Sequence, residues 1–378
     1  MSAWVTKPLG EVIHLQRGFD LPVQVRCEGP FPVIASTGQV GSHVKAMVSA
    51  PGVVIGRSGS LGGSQYIERD FWPLNTTLWA KDFNGNDPRF CHYLLSSLDL
   101  AAFNAGGAVP TLNRNHIAPL PVRVPQSARD QRAIADVLGA LDDKIELNRR
   151  MSQTLEAIAQ AIFKSCFVDN TPDDAQPVTL KDLTTKIGSG ATPRGGREVY
   201  IDEGVALIRS QNVYDSQFVW DGLARITDEA ARQLANVQVQ AGDVLLNITG
   251  ASILRTCVVP PDVLPARVNQ HVAIIRAKTD VSPHFLHLHL LQPDTKAYLL
   301  GLNAGASREA VTKAHIESVP ILDPGVEGMA RFDAAVAPLF ALAQACSAEA
   351  RTLAAMRDSL LPKLLSGEVP VAAIEPAA

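Results

Sequence analysis

The chain has 378 residues, of which 46% are hydrophobic, and a formal net charge of −4 at pH 7. This length exceeds one ordinary domain, no apolar run is long enough to cross a membrane, and the N-terminus lacks the layout of a secretory signal. Five scattered cysteines without a C-x-x-C pair argue against a disulfide framework and fit a reducing compartment. We therefore expect a cytoplasmic protein of two or three domains, whose bulk charge neither supports nor excludes nucleic-acid binding.

Residues 1–125 are predicted to form one compact domain. Brief apolar runs alternate with Gly, Pro and Asn, a pattern typical of short strands joined by turns. One helix is predicted from Pro88, because proline suits the first helical turn. This domain carries ten basic and eight acidic residues, a net charge of +2.

A long amphipathic helix is predicted over residues 126–168. The stretch contains a single internal glycine and no proline, and its seam positions recur in steps of four and three. This is heptad spacing, and a helix of about 40 residues, or about 60 Å, needs a partner to cover such a stripe. We expect Ile158, Phe163 and Phe167 to lie on an outer face that is free for another protein.

The second half of the chain repeats this plan. Residues 169–177 are polar and contain prolines, which is typical of a linker. Residues 178–325 again mix short strands, turns and helices. Residues 326–368 return to heptad spacing and are predicted to be a second long helix, and residues 369–378 are predicted to be a tail.

The two halves match each other at a nearly constant offset. Nine of the ten seam positions of the first helix recur in the second helix 198 residues later, and Pro88 matches Pro283 at an offset of 195. Residues 52–55 match residues 242–245. A duplicated domain–helix unit accounts for these matches, although two amphipathic helices can also resemble each other by chance. The two helices are predicted to pack antiparallel through Leu138, Leu141, Ile145, Leu155, Ile162, Leu339, Leu353, Leu360 and Leu364.

The middle of the predicted helix pair is polar. Asn148 and Ser152 fall on the seam of the first helix. They would face Cys346 and Ala350 if the helices pack antiparallel about their centres. Small residues at this point would allow the two helices to approach closely.

Common enzyme motifs are not found in the sequence, including the P-loop, H-E-x-x-H, G-x-S-x-G and the N-P-P-Y tetrapeptide of adenine methyltransferases. His284, His287 and His289 form an H-x-x-H-x-H cluster. No cysteine or carboxylate lies near it at ligand spacing, so an ordinary helix surface is favoured over a metal site. We predict no catalytic residue, no metal-binding residue and no cofactor in this chain.

Polar loops rich in Arg, Asn, Gln, Ser and Thr recur at corresponding places in both halves. Arginine can pair with guanine through two hydrogen bonds, and Asn or Gln can do so with adenine. Hydroxyl groups and backbone N–H groups hold phosphates. The alternative is that such residues simply populate turns. The predicted DNA-binding residues are Arg57, Ser58, Ser60, Asn75, Thr76, Thr77, Asn113, Arg114, Asn115, Ser189, Thr192, Arg194, Arg209, Gln211, Asn212, Asn247, Thr249, Gln270, Ser307 and Arg308.

These segments and their order resemble the DNA specificity subunit of type I restriction–modification enzymes. The resemblance implies an α+β fold in which two target-recognition domains are separated by two long antiparallel coiled-coil helices, with a pseudo-twofold internal repeat. It implies that each domain reads half of a bipartite DNA site. The segments that carry the resemblance are residues 52–62, 71–78, 112–125, 129–148, 187–193, 208–213 and 357–369.

The resemblance also implies partners for this chain. These are double-stranded DNA, two methyltransferase subunits and the restriction (translocase) subunits, with S-adenosylmethionine, ATP and Mg²⁺ bound by the partner subunits rather than by this chain. Other interpretations stay open from the sequence alone. They are a specificity module of another restriction system, a fused single-chain restriction enzyme, whose catalytic motifs should then lie in this chain, and a coiled-coil adaptor without sequence-specific DNA binding.

Overall fold

A computed structural model describes residues 3–170, 176–302 and 310–370 of the chain. These described residues form two compact units, one from the described parts of 1–148 and 349–378 and the other from the described parts of 149–348. Each unit combines a globular domain with segments from both long helices. The compact units therefore do not coincide with the two sequence repeats. Each repeat contains one domain and the whole helix that follows it, whereas each compact unit contains parts of both helices.

In chain order the elements of the first unit are β1 (Trp4–Pro8), α1 (Leu9–Val12), β2 (His14–Arg17), β3 (Phe31–Ala35), β4 (Gly38–His43), β5 (Gly52–Gly56), β6 (Gly62–Ile67), β7 (Trp72–Pro73), β8 (Thr77–Asp82), α2 (Pro88–Ser96), α3 (Arg114–Ile117), β9 (Pro121–Pro125) and the long helix α4 (Ala128–Lys164). The unit is built on a four-stranded antiparallel sheet with strand order β2-β8-β5-β6. A three-stranded sheet has the order β4-β3-β7, in which β3 and β7 are parallel, and β1 pairs with β9.

The elements of the second unit are β10 (Gln176–Thr179), β11 (Thr184–Ser189), β12 (Tyr200–Ile208), β13 (Val213–Tyr214), β14 (Gln217–Phe218), β15 (Ala224–Ile226), α5 (Asp228–Gln233), β16 (Val244–Asn247), β17 (Thr256–Val258), β18 (Ala266–Val268), β19 (Val272–Ala277), α6 (Pro283–Leu291), α7 (Pro293–Gly301), α8 (Lys313–Glu317), β20 (Pro320–Asp323) and the long helix α9 (Gly325–Ser366). Three of its sheets repeat those of the first unit: a four-stranded sheet with the order β11-β19-β16-β17, a three-stranded sheet with the order β15-β12-β18 in which β12 and β18 are parallel, and the pair β10-β20. Strands β13 and β14 form a further two-stranded sheet.

The predicted fold class is confirmed, since the chain has two α+β domains, two long helices and an internal repeat. Helix α2 begins at Pro88, as predicted, and the Asp87 side chain caps it by accepting from the Phe90 N–H. The limits proposed for the domains and for the linker at 169–177 stay predictions. Residues 171–175 and most of the predicted tail lie outside the described residues.

The structure corrects the register of the internal repeat. The Leu112 N–H donates to the Arg57 carbonyl at 2.7 Å, and the Val311 N–H donates to the Ile248 carbonyl at 2.9 Å. Arg57 therefore corresponds to Ile248, an offset of 191. The sequence match of residues 52–55 with residues 242–245 used an offset of 190 and is wrong by one residue. Because successive side chains of a strand point to opposite faces of the sheet, this error matches residues that lie on opposite faces.

In the first unit, α4 and α9 pack antiparallel against the domain core. Of the predicted packing residues there, Leu138 and Leu364 are fully buried in that core. The Arg357 Nη1 atom lies 2.7 Å from the Asp142 Oδ1 atom, and the Tyr93 hydroxyl donates to the other oxygen of the same carboxylate at 2.5 Å. Helix α2 is therefore tied to both long helices. The other predicted packing residues of this unit are half-buried: Leu141, Ile145, Leu353 and Leu360.

The polar middle of the helix pair is satisfied by hydrogen bonds. Asn148 is buried and donates to Glu349 at 2.8 Å, so that this amide and Lys144 lower the pKa of the Glu349 carboxyl group. In the second unit the buried Ser152 hydroxyl donates to the Ala343 carbonyl at 3.0 Å. The expectation that Asn148 and Ser152 face Cys346 and Ala350 stays a prediction.

The second unit encloses an aromatic cluster that the sequence analysis placed partly on the surface. Phe163 is only 1% exposed, and its ring centroid lies 5.6 Å from that of Phe285 and 6.0 Å from that of Phe332. The prediction that Phe163 lies on an outer face is wrong, because this side of α4 faces α6 and α9. Phe167 is half-buried in the same cluster, whereas Ile158 is exposed.

The remaining predicted packing residues also belong to the second unit. Leu155 is buried, and Ile162 and Leu339 are partly buried against its core. Among the described residues, no helix combines the length and apolar character needed to cross a membrane.

Candidate nucleic-acid interface

Several predicted residues of the first unit converge on one concavity of about 860 Å³. Arg57, Asn113 and Arg114 line it. Arg57 directly follows β5, and Asn113 and Arg114 are the N-cap and the first residue of α3. Four further polar residues of the lining were not among the predicted DNA-binding residues. They are Gln16 and Arg17 at the end of β2, Asp20 in the loop that follows it, and Thr111.

Hydrogen bonds to the loop before β8 hold Arg57 at the edge of this concavity. The Arg57 and Ser58 N–H groups both donate to the Thr76 carbonyl, at 2.8 and 3.1 Å. The Arg57 Nη1 atom donates to the Asn75 carbonyl at 3.2 Å. This last bond uses only one of the five N–H donors of the Arg57 guanidinium group. The others can serve a bound anion.

The charge of the concavity is positive on balance. Three guanidinium groups line it, and the one carboxylate is Asp20, whose Oδ1 atom lies 3.7 Å from the Arg17 Nη2 atom. Such a surface attracts phosphate groups. The Asp20 carboxylate also accepts a hydrogen bond from the Asn75 Nδ2 atom. It therefore connects the loop after β2 to the loop before β8.

In the second unit, predicted residues from three loops form a continuous polar network. The Thr192 hydroxyl lies 2.8 Å from the Gln270 Oε1 atom, and the Gln270 Nε2 atom lies 3.1 Å from the His271 Nε2 atom. The other ring nitrogen of His271 lies 2.7 Å from the Thr249 hydroxyl. His271 was not among the predicted site residues, although its neighbour Gln270 was.

Strand pairing shows that these two arrangements occupy equivalent positions. Arg17 at the end of β2 lies opposite Leu78 in β8, and Ser189 at the end of β11 lies opposite Ala273 in β19. Leu78 and Ala273 are themselves equivalent, because their partners in β5 and β16 match at the offset of 191. The ends of β2 and β11 therefore correspond.

Counting along the chain from these strands gives two matching side-chain pairs. Asp20 lies three residues beyond the end of β2, and Thr192 lies three residues beyond the end of β11. Asn75 lies three residues before Leu78, and Gln270 lies three residues before Ala273. Both pairs are hydrogen-bonded. We call Asp20–Asn75 and Thr192–Gln270 the loop pairs.

A glycine next to each loop pair allows the two loops to approach closely. A Cβ atom on Gly18 would overlap the carbonyl oxygens of Pro73 and Leu74, and one on Gly190 would overlap the carbonyl oxygen of Val268. Glycine is required where two backbones come this close. The close approach therefore recurs in both units.

Three predicted DNA-binding residues are buried and bonded inside the protein. The Thr77 hydroxyl donates to the Leu74 carbonyl at 2.7 Å, and the Asn212 amide donates to the Val219 carbonyl at 2.9 Å. The Asn247 amide donates to the Ser210 carbonyl at 2.9 Å. The structure therefore gives these side chains a role in holding loops, in place of the predicted contact with DNA.

The other predicted residues have more open positions. Ser60, Asn115, Ser189, Arg194 and Gln211 are exposed. In the loop after β12, the half-buried Arg209 and the Gln211 amide both donate to the Gly222 carbonyl, at 2.7 and 3.1 Å. Ser58 and Thr76 are also half-buried, and Ser307 and Arg308 lie outside the described residues.

The histidine cluster on α6 is not an ordinary helix surface. His287 is fully buried, and its Nε2 atom lies 3.1 Å from the Ser216 hydroxyl. Burial lowers the pKa of His287 to about 3 and the pKa of His289 to about 4. The His284 ring stacks on Phe340. Within the described part of the chain, no three His, Cys, Asp or Glu side chains are grouped to hold a metal ion.

The duplicated topology, the paired long helices and the matching loop pairs define a class of internally repeated two-domain proteins. Residues 1–157 match the family model of the type I restriction modification DNA specificity domain. The type I restriction enzyme HindI specificity subunit of Haemophilus influenzae is 24% identical, in an alignment that covers 98% of this chain and 100% of that protein. The MjaIX specificity subunit of Methanocaldococcus jannaschii is 22% identical over 79% of this chain and 74% of its own length.

A solved structure shows the same fold. The type I restriction–modification S subunit from M. genitalium has a TM-score of 0.66 and 15% sequence identity, and the match covers 96% of each chain. The chain is therefore similar to type I restriction–modification specificity subunits over nearly its whole length.

Proposed function

We propose that this chain is the DNA sequence-specificity subunit of a type I restriction–modification complex and that each domain reads one half of a bipartite target. The observation that carries this proposal is the recurrence of a hydrogen-bonded loop pair at the same topological position in both units. The chemistry of the surrounding side chains supports it. Arginines of the first concavity can hold phosphates or read guanine, and carboxamides and hydroxyls supply further groups that distinguish base edges.

The chain acts as a non-catalytic, cytoplasmic scaffold in this proposal. It binds two methyltransferase subunits and the restriction subunits, which carry S-adenosylmethionine, ATP and Mg²⁺. Large apolar side chains on the long helices support a protein-binding role, since Met151, Ile158 and Leu342 of the second unit are all exposed.

Co-expression with a methyltransferase encoded beside this chain, followed by mapping of methylated bases, tests the function. We expect one bipartite motif that requires both proteins. Methylation without sequence preference would support an adaptor instead. A motif produced by this chain alone would place catalysis within it.

The Arg57→Ala variant should weaken recognition of one half-site only. If Arg57 contacts a base, discrimination at that position should fall by about 1–3 kcal/mol. Binding to duplexes with single substitutions, at one fixed salt concentration, measures this. The Arg129→Ala variant is a matched control, because Arg129 is exposed on α4 and does not line the concavity. An equal loss on every sequence would make Arg57 a phosphate contact.

Removing one heptad from each long helix should change the spacer between the half-sites without changing their sequences. Deletion of residues 145–151 and 346–352 keeps both seams in phase and shortens each helix by about 10 Å. This length corresponds to about three base pairs of DNA. Methylation mapping of the variant reports the new motif. An unchanged spacer would mean that the helices do not set this distance.

A further inference from the structure

We propose that Asn75 is a specificity-determining residue that reads an adenine in the first half-site, and that Gln270 is the equivalent reader in the second. The inference rests on the proposed function and adds to it the position and the base that are read. A carboxamide recognises adenine by accepting from the N6 amino group and donating to N7. This requires a defined orientation of its oxygen and nitrogen.

Asp20 fixes that orientation in the first unit. An ionised carboxylate only accepts hydrogen bonds, so the Asn75 side chain must turn its NH₂ group towards Asp20. This chemistry distinguishes the oxygen of the amide from its nitrogen. The second N–H and the Oδ1 atom of Asn75 are then left to bind a ligand. Among the described residues, no protein group donates a hydrogen bond to that oxygen. These two groups are the acceptor and the donor that the adenine edge needs.

The surroundings hold the Asn75 loop beside the positive concavity. The Arg57 guanidinium donates to the Asn75 carbonyl at 3.2 Å, which ties this loop to the end of β5. Asp20 lies 3.7 Å from Arg17 and lines the same concavity as both arginines. DNA held by these arginines would therefore lie next to the carboxamide. Asp20 and Arg57 are positioning residues in this arrangement.

In the second unit the equivalent carboxamide, Gln270, is present, but its partners do not fix its orientation. Gln270 is exposed, and its partners are the Thr192 hydroxyl at 2.8 Å and the His271 ring at 3.1 Å. A hydroxyl and a neutral imidazole can each donate or accept, so neither determines which way the amide points. We therefore expect tighter discrimination at the Asn75 position than at the Gln270 position.

The test uses the full-length chain in complex with its methyltransferase subunits. Binding is measured by competition between a duplex carrying the mapped motif and duplexes with each single base-pair substitution. In Asn75→Ala, discrimination should fall about 10- to 100-fold at one A·T pair of one half-site and stay unchanged in the other half-site. In Gln270→Ala, the loss should fall in the other half-site alone.

Asp20→Asn separates an orienting role from a general structural one. The variant keeps the size of the side chain but can also donate, so the Asn75 amide is no longer held in one orientation. Discrimination should fall at the same base pair as in Asn75→Ala, and adding Asp20→Asn to Asn75→Ala should cause no further loss. If Asn75→Ala does not fold, the isosteric Asp20→Asn variant alone tests the proposal by its effect on discrimination at this base pair. Gln126→Ala is the control, because it removes an exposed carboxamide of the same unit that does not line the concavity.

The outcomes distinguish this inference from the function on which it rests. If the wild-type complex shows a bipartite motif and Asn75→Ala retains full discrimination, the reading role is wrong and the proposed function stands. A loss at a G·C pair, or an equal loss on all duplexes, also overturns it. If the wild-type complex shows no motif, the proposed function fails and the inference fails with it.

Discussion

Replacing Phe163 with alanine should lower the free energy of unfolding of the second unit by about 3–5 kcal/mol. Phe163 is buried where α4 meets α6 and α9, and its ring contacts those of Phe285 and Phe332. Its removal leaves a cavity among side chains that belong to three different helices. Urea denaturation followed by fluorescence or circular dichroism measures the loss.

Ile158→Ala is the matched control on the same helix. Ile158 is 44% exposed, so its truncation should change stability by only about 0.5 kcal/mol. The comparison matters because both residues were expected on one outer face. A similar small effect for the two variants would contradict a structural role for the aromatic cluster.

Replacing Arg276 with alanine should also destabilise the second unit strongly. Asp243 is fully buried, and its two carboxylate oxygens accept from Arg276 at 2.7 and 2.8 Å. Without the guanidinium, a buried charge is left unpaired, which costs about 3–5 kcal/mol. Thermal or urea unfolding at neutral pH measures the change.

Two further variants test the cause of this loss. Arg232→Ala removes an exposed arginine of α5 and should be nearly neutral. Adding Asp243→Asn to Arg276→Ala should recover part of the stability, because the buried group is then uncharged. If the double variant is no more stable than Arg276→Ala, the unpaired charge is not the cause. The pair matters for the site because Arg276 lies on β19, which begins directly after the loop of Gln270 and His271.

The long helices and the repeat were predictable because they depend on local periodicity. Heptad spacing requires only that apolar residues recur in steps of four and three, and this is visible without knowing what covers them. Leu138 and Leu364 are buried as such spacing requires. The register of the repeated strands was not predictable in the same way, because adjacent residues of β5 are all apolar and a shift by one residue leaves the pattern unchanged.

The candidate site was predictable as a set of residue types but not as a geometry. Composition singled out Asn75, Thr192 and Gln270. It missed Arg17 and Asp20, and the partner of Asp20 in the loop pair, Asn75, is distant from it in sequence. It also included Thr77, Asn212 and Asn247, since a polar residue that holds a turn has the same composition as one that faces a ligand.

By itself, the sequence determined the α+β class, the duplication, the two long helices and, through its resemblance to a family, the function. Each of these follows from patterns that are local or that recur at a fixed offset. Tertiary structure alone decided which long-range partners meet: Asp20 with Asn75, Thr192 with Gln270, and Phe163 with its aromatic neighbours. Such contacts depend on strand register and on the packing of elements far apart in the chain, and periodicity carries no information about either.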